Sequence, residues 1–421
     1  MKTKYPKGSL NMITYDEAKK LLSDCGQEHI LRYYDELGDE EKKSLLAQIE
    51  GIDLSILDAL NKDRGAVLKR GKIEPIEAVT ISDIDRNSAE YRRIGIEAVS
   101  SGKVAAVLLA GGQGTRLGFD KPKGMYNVGV TRELYIFECL INNMKEIVEE
   151  AGKWIHLCIM TSEKNNEDTV NFLREKDFFG YAPEYVHFFV QDMAPSVDHS
   201  GKIYMESRSR ISSSPNGNGG WFSSLVRSGL MDELKGCGVE WLNVIGVDNV
   251  LVKVADPLFV GAVIKTGAQS GSKVVAKTAP EERVGVLCLE DGVPSIVEYY
   301  EMTEDMIYQR TETGELAYNY GVILNYLFSI SKLEEINKQK LQVHIVEKKI
   351  PYMDENGVYV KPQEPNGYKF ELLIIDMIHM HDSCLPYEVV RDREFAPIKN
   401  PDGVDSVVSA RKLLEENGVE L

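Results

Sequence analysis

Apolar residues along the chain follow two different periodicities, one before and one after about residue 100. In the first hundred residues they recur at the spacing of one helix face, and Thr14 with Glu17 forms a capping box ahead of the first such run. From Lys103 onward, short apolar runs alternate with helical stretches. Strands are predicted at 104–110, 155–161, 186–191 and 242–247, and helices at 134–150 and 164–175. This alternation predicts an α/β fold in which a mostly parallel sheet has helices on both faces.

The last part of the chain predicts a hairpin and two further helices. Apolar runs at 284–289 and 296–299 flank Asp291-Gly292, a dipeptide that favours a tight hairpin turn. The helices are predicted at 370–379 and 405–421. Because ligands bind beyond the carboxyl ends of the strands in open α/β sheets, the candidate residues are sought in the loops that follow the predicted strands.

The loop after the first predicted strand has the composition of a polyphosphate site. Its glycines are Gly111, Gly112, Gly114, Gly118 and Gly124, and its cations are Arg116, Lys121 and Lys123. Glycines allow the backbone to approach a ligand closely and expose N–H groups to an anion. Two familiar phosphate fingerprints do not fit, however. A dinucleotide-binding motif requires glycine where Leu117 stands, and no Gly-Lys-Ser/Thr follows at the spacing of a P-loop.

Three later segments carry polar groups that suit the same edge of the sheet. In the small-residue loop 213–220, the amide of Asn218 both donates and accepts, although the composition also allows a flexible turn. Asp248 directly follows the fourth predicted strand, where a carboxylate suits Mg²⁺ and where an Asx turn or helix cap is the alternative. Glu298 and Tyr299 combine an acid with an aromatic ring, which suits a sugar, while a hydrated surface acid explains Glu298 as well.

The charge of the chain limits the classes of partner. Its 49 basic and 66 acidic residues give a net charge of −17, so we expect it to bind neither nucleic acid nor an anionic membrane surface. The six cysteines contain no C-x-x-C pair, which excludes a thiol zinc site and indicates a reducing compartment. The N-terminal residues lack the apolar core of a signal peptide, and a cytoplasmic protein is expected.

Residues 108–124 resemble the signature of the UTP-dependent nucleotide-sugar pyrophosphorylases. That signature reads L-x-x-G-G-x-G-T-R-L-G followed by P-K-G, and the chain carries it at 108–118 and 122–124. The continuation at 125–129 is similar to the branch that makes UDP-N-acetylglucosamine. The likeness extends from about residue 14 to about residue 400. It implies a Rossmann-like, mostly parallel central sheet of the nucleotidyltransferase type, with a helical N-terminal domain and a C-terminal domain.

The resemblance implies roles for individual residues. The implied nucleotide contacts are Leu109, Ala110, Gly111, Gly112, Gln191 and Gly217. The implied sugar and phosphate contacts are Asn218, Gly285, Glu298, Tyr299 and Lys369. The implied catalytic cations are Lys123 and Lys399, which contact phosphates, and Arg116, which grips the departing pyrophosphate. Asp248 is similar to the metal-linked aspartate of the family, and the implied cofactor is Mg²⁺ or Mn²⁺.

The implied reaction joins UTP and N-acetylglucosamine 1-phosphate to give UDP-N-acetylglucosamine and diphosphate. The attacking phosphate is already an anion, so no general base is required, and catalysis consists of aligning and neutralising two polyanions. The chain departs from the family at Val322, where a sugar-contacting asparagine is usual, and at Leu373, where an aromatic residue is usual. It also ends at Leu421, which implies a truncated C-terminal domain.

We expect the chain to divide into three regions. These regions are a helical N-terminal domain (1–100), a catalytic domain (101–340) with its closing segments at 341–385, and a short C-terminal segment (386–421). A monomer or weak homodimer is expected.

Alternative functions remain open at this stage. The nearest is the same chemistry on glucose or galactose 1-phosphate. A dehydrogenase is disfavoured by Leu117, and a non-catalytic nucleotide-sugar sensor would tolerate the loss of Arg116 or Lys123, both of which are present.

Overall fold

The computed structural model describes residues 13–62 and 70–421. Within them the α-helices are α1 (Tyr15–Asp24), α2 (Asp39–Gly51), α3 (Asp58–Lys62), α4 (Ile81–Ser100), α5 (Ile136–Ala151), α6 (Asn166–Glu175), α7 (Trp221–Arg227), α8 (Leu230–Gly236), α9 (Pro257–Thr266), α10 (Glu304–Tyr308), α11 (Ile330–Ile336), α12 (Ile374–His379), α13 (Arg391–Glu394) and α14 (Val407–Glu416).

The strands of the described residues are β1 (Ile73–Glu74), β2 (Val104–Leu109), β3 (Leu157–Thr161), β4 (Val186–Val190), β5 (Met193–Pro195), β6 (Val197–Asp198), β7 (Met205–Ser207), β8 (Arg210–Ile211), β9 (Ser213–Pro215), β10 (Trp241–Gly246), β11 (Ser270–Ala276), β12 (Val286–Glu290), β13 (Val293–Val297), β14 (Tyr320–Ser329), β15 (His344–Lys348), β16 (Tyr352–Met353), β17 (Tyr359–Val360), β18 (Gly367–Glu371) and β19 (Cys384–Glu388).

The chain divides into two compact units, and neither is continuous in sequence. Among the described residues, unit 1 comprises 13–62, 191–221 and 341–374, and unit 2 comprises 70–190, 222–340 and 375–421. The three sequence domains proposed above remain a prediction.

Unit 2 contains a ten-stranded mixed sheet. Its main order is β1-β12-β14-β10-β2-β3-β4, with β11, β13 and β19 attached to this path. The strands β10, β2, β3 and β4 run parallel to one another, whereas β14 pairs antiparallel with β10, β11 and β12. The strands β2 and β3 are buried along their full length, as expected for strands covered on both faces. The predicted α/β fold is therefore confirmed.

Helices α4 and α9 of unit 2 cross at two glycines. A Cβ atom on Gly95 would lie 1.9 Å from the carbonyl oxygen of Pro257, and one on Gly261 would lie 1.8 Å from that of Tyr91. The two helix backbones thus approach more closely than any larger residue permits. This contact places the start of α9, and with it the end of the loop that follows β10.

Unit 1 has its own apolar core beneath short strands. The buried side chains of α1 and α2, including Leu22 and Leu45, pack with Ile203, Ile211 and Phe370. The predicted capping box at the start of α1 is present, because the Glu17 amide donates to the Thr14 hydroxyl and the Thr14 amide donates to the Glu17 carboxylate.

The helix predicted at 370–379 is wrong in its first part. Residues 367–371 form β18, which pairs antiparallel with β15, and the helix α12 begins only at Ile374. The apolar spacing after Phe370 is compatible with a helix, but cross-strand pairing overrides local periodicity here. The predicted hairpin at 284–299 is present as β12 and β13, and Asp291 and Gly292 at its turn both have positive φ.

Candidate active site

The predicted phosphate loop leaves the parallel part of the unit 2 sheet. Its strand β2 lies between β3 and β10 and runs parallel to both. The last residue of β2, Leu109, is paired with Gly246 of β10 and with Met160 of β3. The loops after β2 and β10 therefore begin side by side at the carboxyl edge of the sheet, where ligands bind in folds of this type.

A buried asparagine holds the first turn of the loop. The Asn165 side chain is fully buried, and its Nδ2 donates to the carbonyl oxygens of Ala110 at 2.9 Å and Gly112 at 3.4 Å. Its Oδ1 accepts from the Ser162 amide at 2.7 Å. Since both ends of this buried amide are hydrogen-bonded, the backbone at 110–112 is held in one position.

The loop glycines serve two different purposes. A Cβ on Gly114 would lie 2.8 Å from the ring of Phe119, and one on Gly124 would lie 2.3 Å from the ring of Phe137. Gly114 is thus required by packing within the loop, and Gly124 by packing of the loop against α5. At Gly112 a Cβ would meet nothing within 4 Å, and this residue is exposed. The backbone at Gly112 is therefore open to a ligand, as the nucleotide role predicted for it requires.

Two of the three loop cations have no anionic partner. Within residues 13–62 and 70–421, neither the exposed Arg116 nor the half-buried Lys123 makes an ion pair or a side-chain hydrogen bond. Lys121, in contrast, pairs with Asp168, with 3.0 Å between Nζ and Oδ1. The positive charge available to a ligand in this loop thus comes from Arg116 and Lys123.

Burial and neighbouring cations both act on Lys123. Burial lowers the pKa of its ammonium group; Asp248 raises that pKa, while Lys399 and Arg116 lower it, and the net pKa lies below its usual value. The same interactions show that Arg116, Asp248 and Lys399 each lie within electrostatic reach of Lys123. A cation destabilised in this way is stabilised again by a bound polyanion.

Asp248 and Lys399 are carried by two adjacent backbone segments. The Ile398 amide donates to the Asp248 carbonyl oxygen at 2.9 Å, which places Lys399 beside the loop that follows β10. The Lys399 ammonium pairs with Asp405 at 2.9 Å. The Asp248 carboxylate receives no hydrogen bond from any of the residues that the structure describes. It is a single acceptor at the sheet edge, in an environment that suits one cation with phosphate oxygens.

The segment that carries Lys399 is anchored by buried polar groups. The Asn249 side chain donates to the Glu394 carbonyl oxygen at 2.7 Å and accepts from the Ala396 amide at 2.8 Å. The Glu394 carboxylate pairs at 2.5 Å with Lys273, which is fully buried and also pairs at 2.6 Å with Asp256. This triad of Lys273, Asp256 and Glu394 joins β11, the N-cap of α9 and α13.

Burial alone would lower the pKa of Lys273, but its two carboxylate partners raise the pKa above the usual value. Lys273 therefore remains protonated inside the fold.

The predicted sugar contacts of unit 2 form a second group. The Val322 amide donates to the Gly285 carbonyl oxygen at 2.9 Å, and a Cβ on Gly285 would lie 3.5 Å from each carboxylate oxygen of Glu298. Gly285, Glu298 and Val322 are thus neighbours, and Tyr299, which follows Glu298 in sequence, is 42% exposed. Val322 thus places an apolar residue beside these groups.

Unit 1 carries the remaining predicted residues around a cavity of about 590 Å³. Gly217, Asn218 and Lys369 all line it, so the structure places these three residues together. The full lining is Ser214, Pro215, Gly217, Asn218, Lys348, Lys349, Lys369, Glu371 and Leu373. Its volume is in the range of small-ligand sites.

The loop that carries Gly217 and Asn218 is held against residues 372–374. Gly217 has φ +86°, and a Cβ there would lie 2.3 Å from the Leu372 carbonyl oxygen, so only glycine fits. The Gly219 amide donates to the same oxygen at 2.7 Å, and the Asn218 Oδ1 accepts from the Ile374 amide at 3.0 Å. The Asn218 Oδ1 thereby holds the loop in place, and among the described residues the NH₂ group of Asn218 is free to donate to a ligand.

Gln191 is buried in unit 1, at the start of the segment that leads to this loop. The Asp192 carbonyl oxygen, next in sequence, accepts from the Asn216 amide at 3.0 Å.

Sequence reasoning missed four residues at or beside these groups. Lys348 and Lys349 were visible as a lysine pair, but nothing in their spacing connected them with Asn218. Asn165 gave no signal, since a polar residue after a strand is common. Leu324 gave none either, because a leucine with φ +52° is not readable from sequence.

The sequence of the chain matches a known protein family and several curated relatives. The family described as UTP–glucose-1-phosphate uridylyltransferase matches residues 56–419. The chain belongs to this family. Within it, the chain is 34% identical to a probable UDP-N-acetylglucosamine pyrophosphorylase of Dictyostelium discoideum, over 94% of this chain and 86% of the relative. It is 36% identical to UDP-N-acetylglucosamine diphosphorylase 1 of Arabidopsis thaliana, over 93% of this chain and 81% of the relative.

A solved structure shares the fold of this family member. The uridine diphosphate N-acetylglucosamine pyrophosphorylase of Trypanosoma brucei, in complex with an inhibitor, has a TM-score of 0.83 and 30% identity, with 97% of this chain and 85% of that chain covered. The resemblance stated from the residues 108–124 is thus confirmed, and so are the nucleotidyltransferase fold class and the enzyme class.

Two further observations concern membranes and metals. Among the helices in 13–62 and 70–421, none has the length and apolar character that a membrane span requires. The same residues contain no cluster of three or more His, Cys, Asp or Glu side chains that could hold a metal ion.

Proposed function

We propose that this chain transfers the uridylyl group of UTP to N-acetylglucosamine 1-phosphate and releases diphosphate. The observation that carries the proposal is that Lys123, a half-buried cation without an ion pair among the described residues, has Arg116, Asp248 and Lys399 within electrostatic reach. The relatives of the chain that are named UDP-N-acetylglucosamine pyrophosphorylase or diphosphorylase support the choice of sugar.

In this proposal the residues of unit 2 bind and neutralise phosphates. An oxygen of the sugar phosphate attacks the α-phosphorus of UTP, and the bond from that phosphorus to the oxygen bridging to the β-phosphate breaks. Lys123 and Lys399 hold phosphate oxygens, and Arg116 holds the departing diphosphate. Because the nucleophile is already an anion, alignment and charge neutralisation supply the catalysis.

The nucleotide and sugar are assigned to the groups that the sequence predicted. We assign the uracil and ribose to the backbone at Leu109, Ala110, Gly111 and Gly112, with Gln191 and Gly217. We assign the sugar and its phosphate to Asn218, Gly285, Glu298, Tyr299 and Lys369. The open backbone at Gly112 and the unused NH₂ group of Asn218 support these assignments.

We assign Mg²⁺, or Mn²⁺ in its place, to Asp248. Its carboxylate has no donor among the described residues, and Mg²⁺ in phosphoryl-transfer sites is held by one or two carboxylates plus substrate phosphates. When bound, the ion supplies positive charge to the phosphate oxygens. The six cysteines are free thiols, which supports a reducing, cytoplasmic compartment.

A second candidate keeps the chemistry and changes the sugar to glucose or galactose 1-phosphate. Val322 favours it, because an apolar side chain beside Gly285 removes one hydrogen-bonding partner for the sugar. A site that lacks a polar partner discriminates less between related substrates.

The test measures diphosphate release by the purified chain from UTP and Mg²⁺ with each sugar phosphate. N-acetylglucosamine 1-phosphate should give the highest kcat/KM; a higher value for glucose or galactose 1-phosphate would select the second candidate. Lys123→Ala should lower kcat by about a hundredfold or more, as for the loss of a transition-state contact. The matched control is Lys121→Ala in the same loop, whose lysine already pairs with Asp168 and whose loss should leave kcat nearly unchanged.

A further inference from the structure

Two lysines of the unit 1 cavity have no assigned role. Lys348 and Lys349 both line it, together with Lys369 and Asn218. Within the described part of the chain, neither Lys348 nor Lys349 makes an ion pair or a side-chain hydrogen bond. The adjacent Glu347 is already paired with His199 at 2.8 Å.

The backbone that carries these lysines is held firmly. Lys348 ends β15, where it pairs with Gly367 of β18. Beyond it, the Asn366 side chain accepts from the Ile350 amide at 2.7 Å and donates to the Ile350 carbonyl oxygen at 3.0 Å. Lys349 therefore lies between Lys348, which pairs with β18, and Ile350, which is hydrogen-bonded to the residue that precedes β18. The lysine pair is delivered by an ordered segment, although its side chains are exposed to solvent.

The charge of the cavity opposes the charge of the protein. Three lysines against Glu371 give the lining a formal charge of +2, in a chain whose net charge is −17. An acidic protein can bind an anion only where its cations are concentrated locally. The concentration of Lys348, Lys349 and Lys369 around one cavity meets that requirement.

We propose that Lys348 and Lys349 bind the phosphate group of the sugar 1-phosphate. The inference rests on the proposed uridylyltransferase function and adds two substrate-binding residues to it. A phosphate monoester carries close to two negative charges at neutral pH, because its second pKa is about 6, and its three oxygens accept several charge-assisted hydrogen bonds. Two adjacent ammonium groups without anionic partners suit such a group.

The rest of the lining favours the sugar phosphate over the triphosphate of UTP. Asn218 supplies an amide, and Pro215 and Leu373 supply apolar surface, as a sugar ring with an acyl group requires. For the triphosphate, unit 2 carries its own cations, Arg116 and Lys123. The cavity lysines are thus assigned to the second substrate.

The experiment compares the double variant Lys348→Ala/Lys349→Ala with the wild-type chain in both directions of the reaction. In the forward direction, KM for the sugar 1-phosphate should rise about tenfold or more, the size expected for lost hydrogen bonds to a charged group, while KM for UTP changes less than twofold. In the reverse direction, KM for diphosphate should stay within twofold. The Lys348→Arg/Lys349→Arg variant, which keeps both charges, should recover most of the lost affinity.

The matched control is Lys19→Ala/Lys20→Ala, which removes the same two charges from α1 of the same unit, away from the cavity. It should leave every KM unchanged. The inference is overturned if the cavity variant behaves like this control, or if KM for UTP or diphosphate rises instead of KM for the sugar phosphate. Failure of the proposed function would look different, since the wild-type chain would then release no diphosphate with any sugar phosphate.

Discussion

At the scale of single residues, Lys123 combines burial with a surplus of nearby positive charge. It has no ion pair among the described residues, and its pKa is lowered first by burial and then by Lys399 and Arg116. Such an ammonium group gains more from a bound polyanion than an exposed lysine does, because the anion replaces both the lost solvent and the missing counter-charge.

The lowered pKa of Lys123 makes a pH dependence predictable. As pH rises, Lys123 loses its proton before an ordinary lysine does, so kcat/KM for UTP should fall on the alkaline side below the usual lysine range. In Lys123→Arg the side chain stays protonated, and that alkaline fall should move to higher pH. The measurement is a pH–rate profile of both proteins. An identical alkaline limb in the two proteins would remove Lys123 as its source.

Leu324 is a strained residue beside the site. It has φ +52° within β14, and a Cβ on Gly246 would lie 3.3 Å from a Leu324 methyl carbon and 2.9 Å from an Asp248 carboxylate oxygen. The pairing of β14 with β11 shifts register close to this residue. A left-handed conformation costs a leucine about 1–2 kcal/mol, so the surrounding sheet enforces it.

This strain reverses the usual order of two substitutions. At Leu324, glycine should be more stable than alanine by about 1 kcal/mol, since alanine keeps the strained conformation and glycine relieves it. At Leu327 in the same strand, where φ is not positive, alanine should be the more stable. Urea unfolding of the four variants measures both differences. If alanine were also the more stable at position 324, the strain would be absent.

At the scale of elements, the crossing of α4 and α9 depends on glycine. Substituting alanine for Gly261 would place a methyl group 1.8 Å from the Tyr91 carbonyl oxygen, so the helices must separate. Gly261→Ala should lower the free energy of unfolding by about 1–3 kcal/mol, the usual range for overpacking. Because α9 begins directly after the loop that carries Asp248, kcat should fall as well. Denaturant unfolding and steady-state kinetics measure the two effects.

The control for this crossing is Gly236→Ala at the end of α8. A Cβ there meets nothing within 4 Å, and its φ is not positive. Alanine should therefore leave the stability unchanged or raise it by up to about 1 kcal/mol, through its helix propensity. Equal effects at Gly236 and Gly261 would contradict the close crossing.

Elements with a strong local pattern could be predicted from sequence, and those set by distant partners could not. The apolar run that forms β2 and the motif after it were sufficient for the strand, the loop and the family. The start of α12 was misplaced because the strand at 367–371 exists through pairing with β15, some twenty residues earlier. Two contacts likewise arise from tertiary packing and have no signal in the local sequence. They are the hydrogen bond from Asn165 to the Gly112 carbonyl oxygen and the close approach of Leu324 to Gly246.

At the scale of the whole molecule, the net charge of −17 opposes the binding of any nucleotide. Binding therefore depends on a few local cations, and it should be visible as stabilisation of the folded chain. With UDP-N-acetylglucosamine at a hundred times its Kd, the free energy of unfolding should rise by about 2.7 kcal/mol. Thermal unfolding with and without the ligand measures this rise. Lys123→Ala should reduce this stabilisation at the same ligand concentration. Uridine, which lacks phosphates, should stabilise the chain only slightly. An equal stabilisation by uridine would exclude the phosphates as the main contact.

The triad of Lys273, Asp256 and Glu394 gives the protein a particular response to temperature. Removing ions from water costs less as temperature rises, because their hydration carries a strongly negative entropy, whereas apolar burial gains little further strength on warming. The segment that carries Lys399 is anchored by ions that are fully or almost fully buried. We therefore expect this anchor to lose less stability on heating than the purely apolar contacts around it. Lys399 should keep its position at temperatures at which those apolar contacts have already weakened.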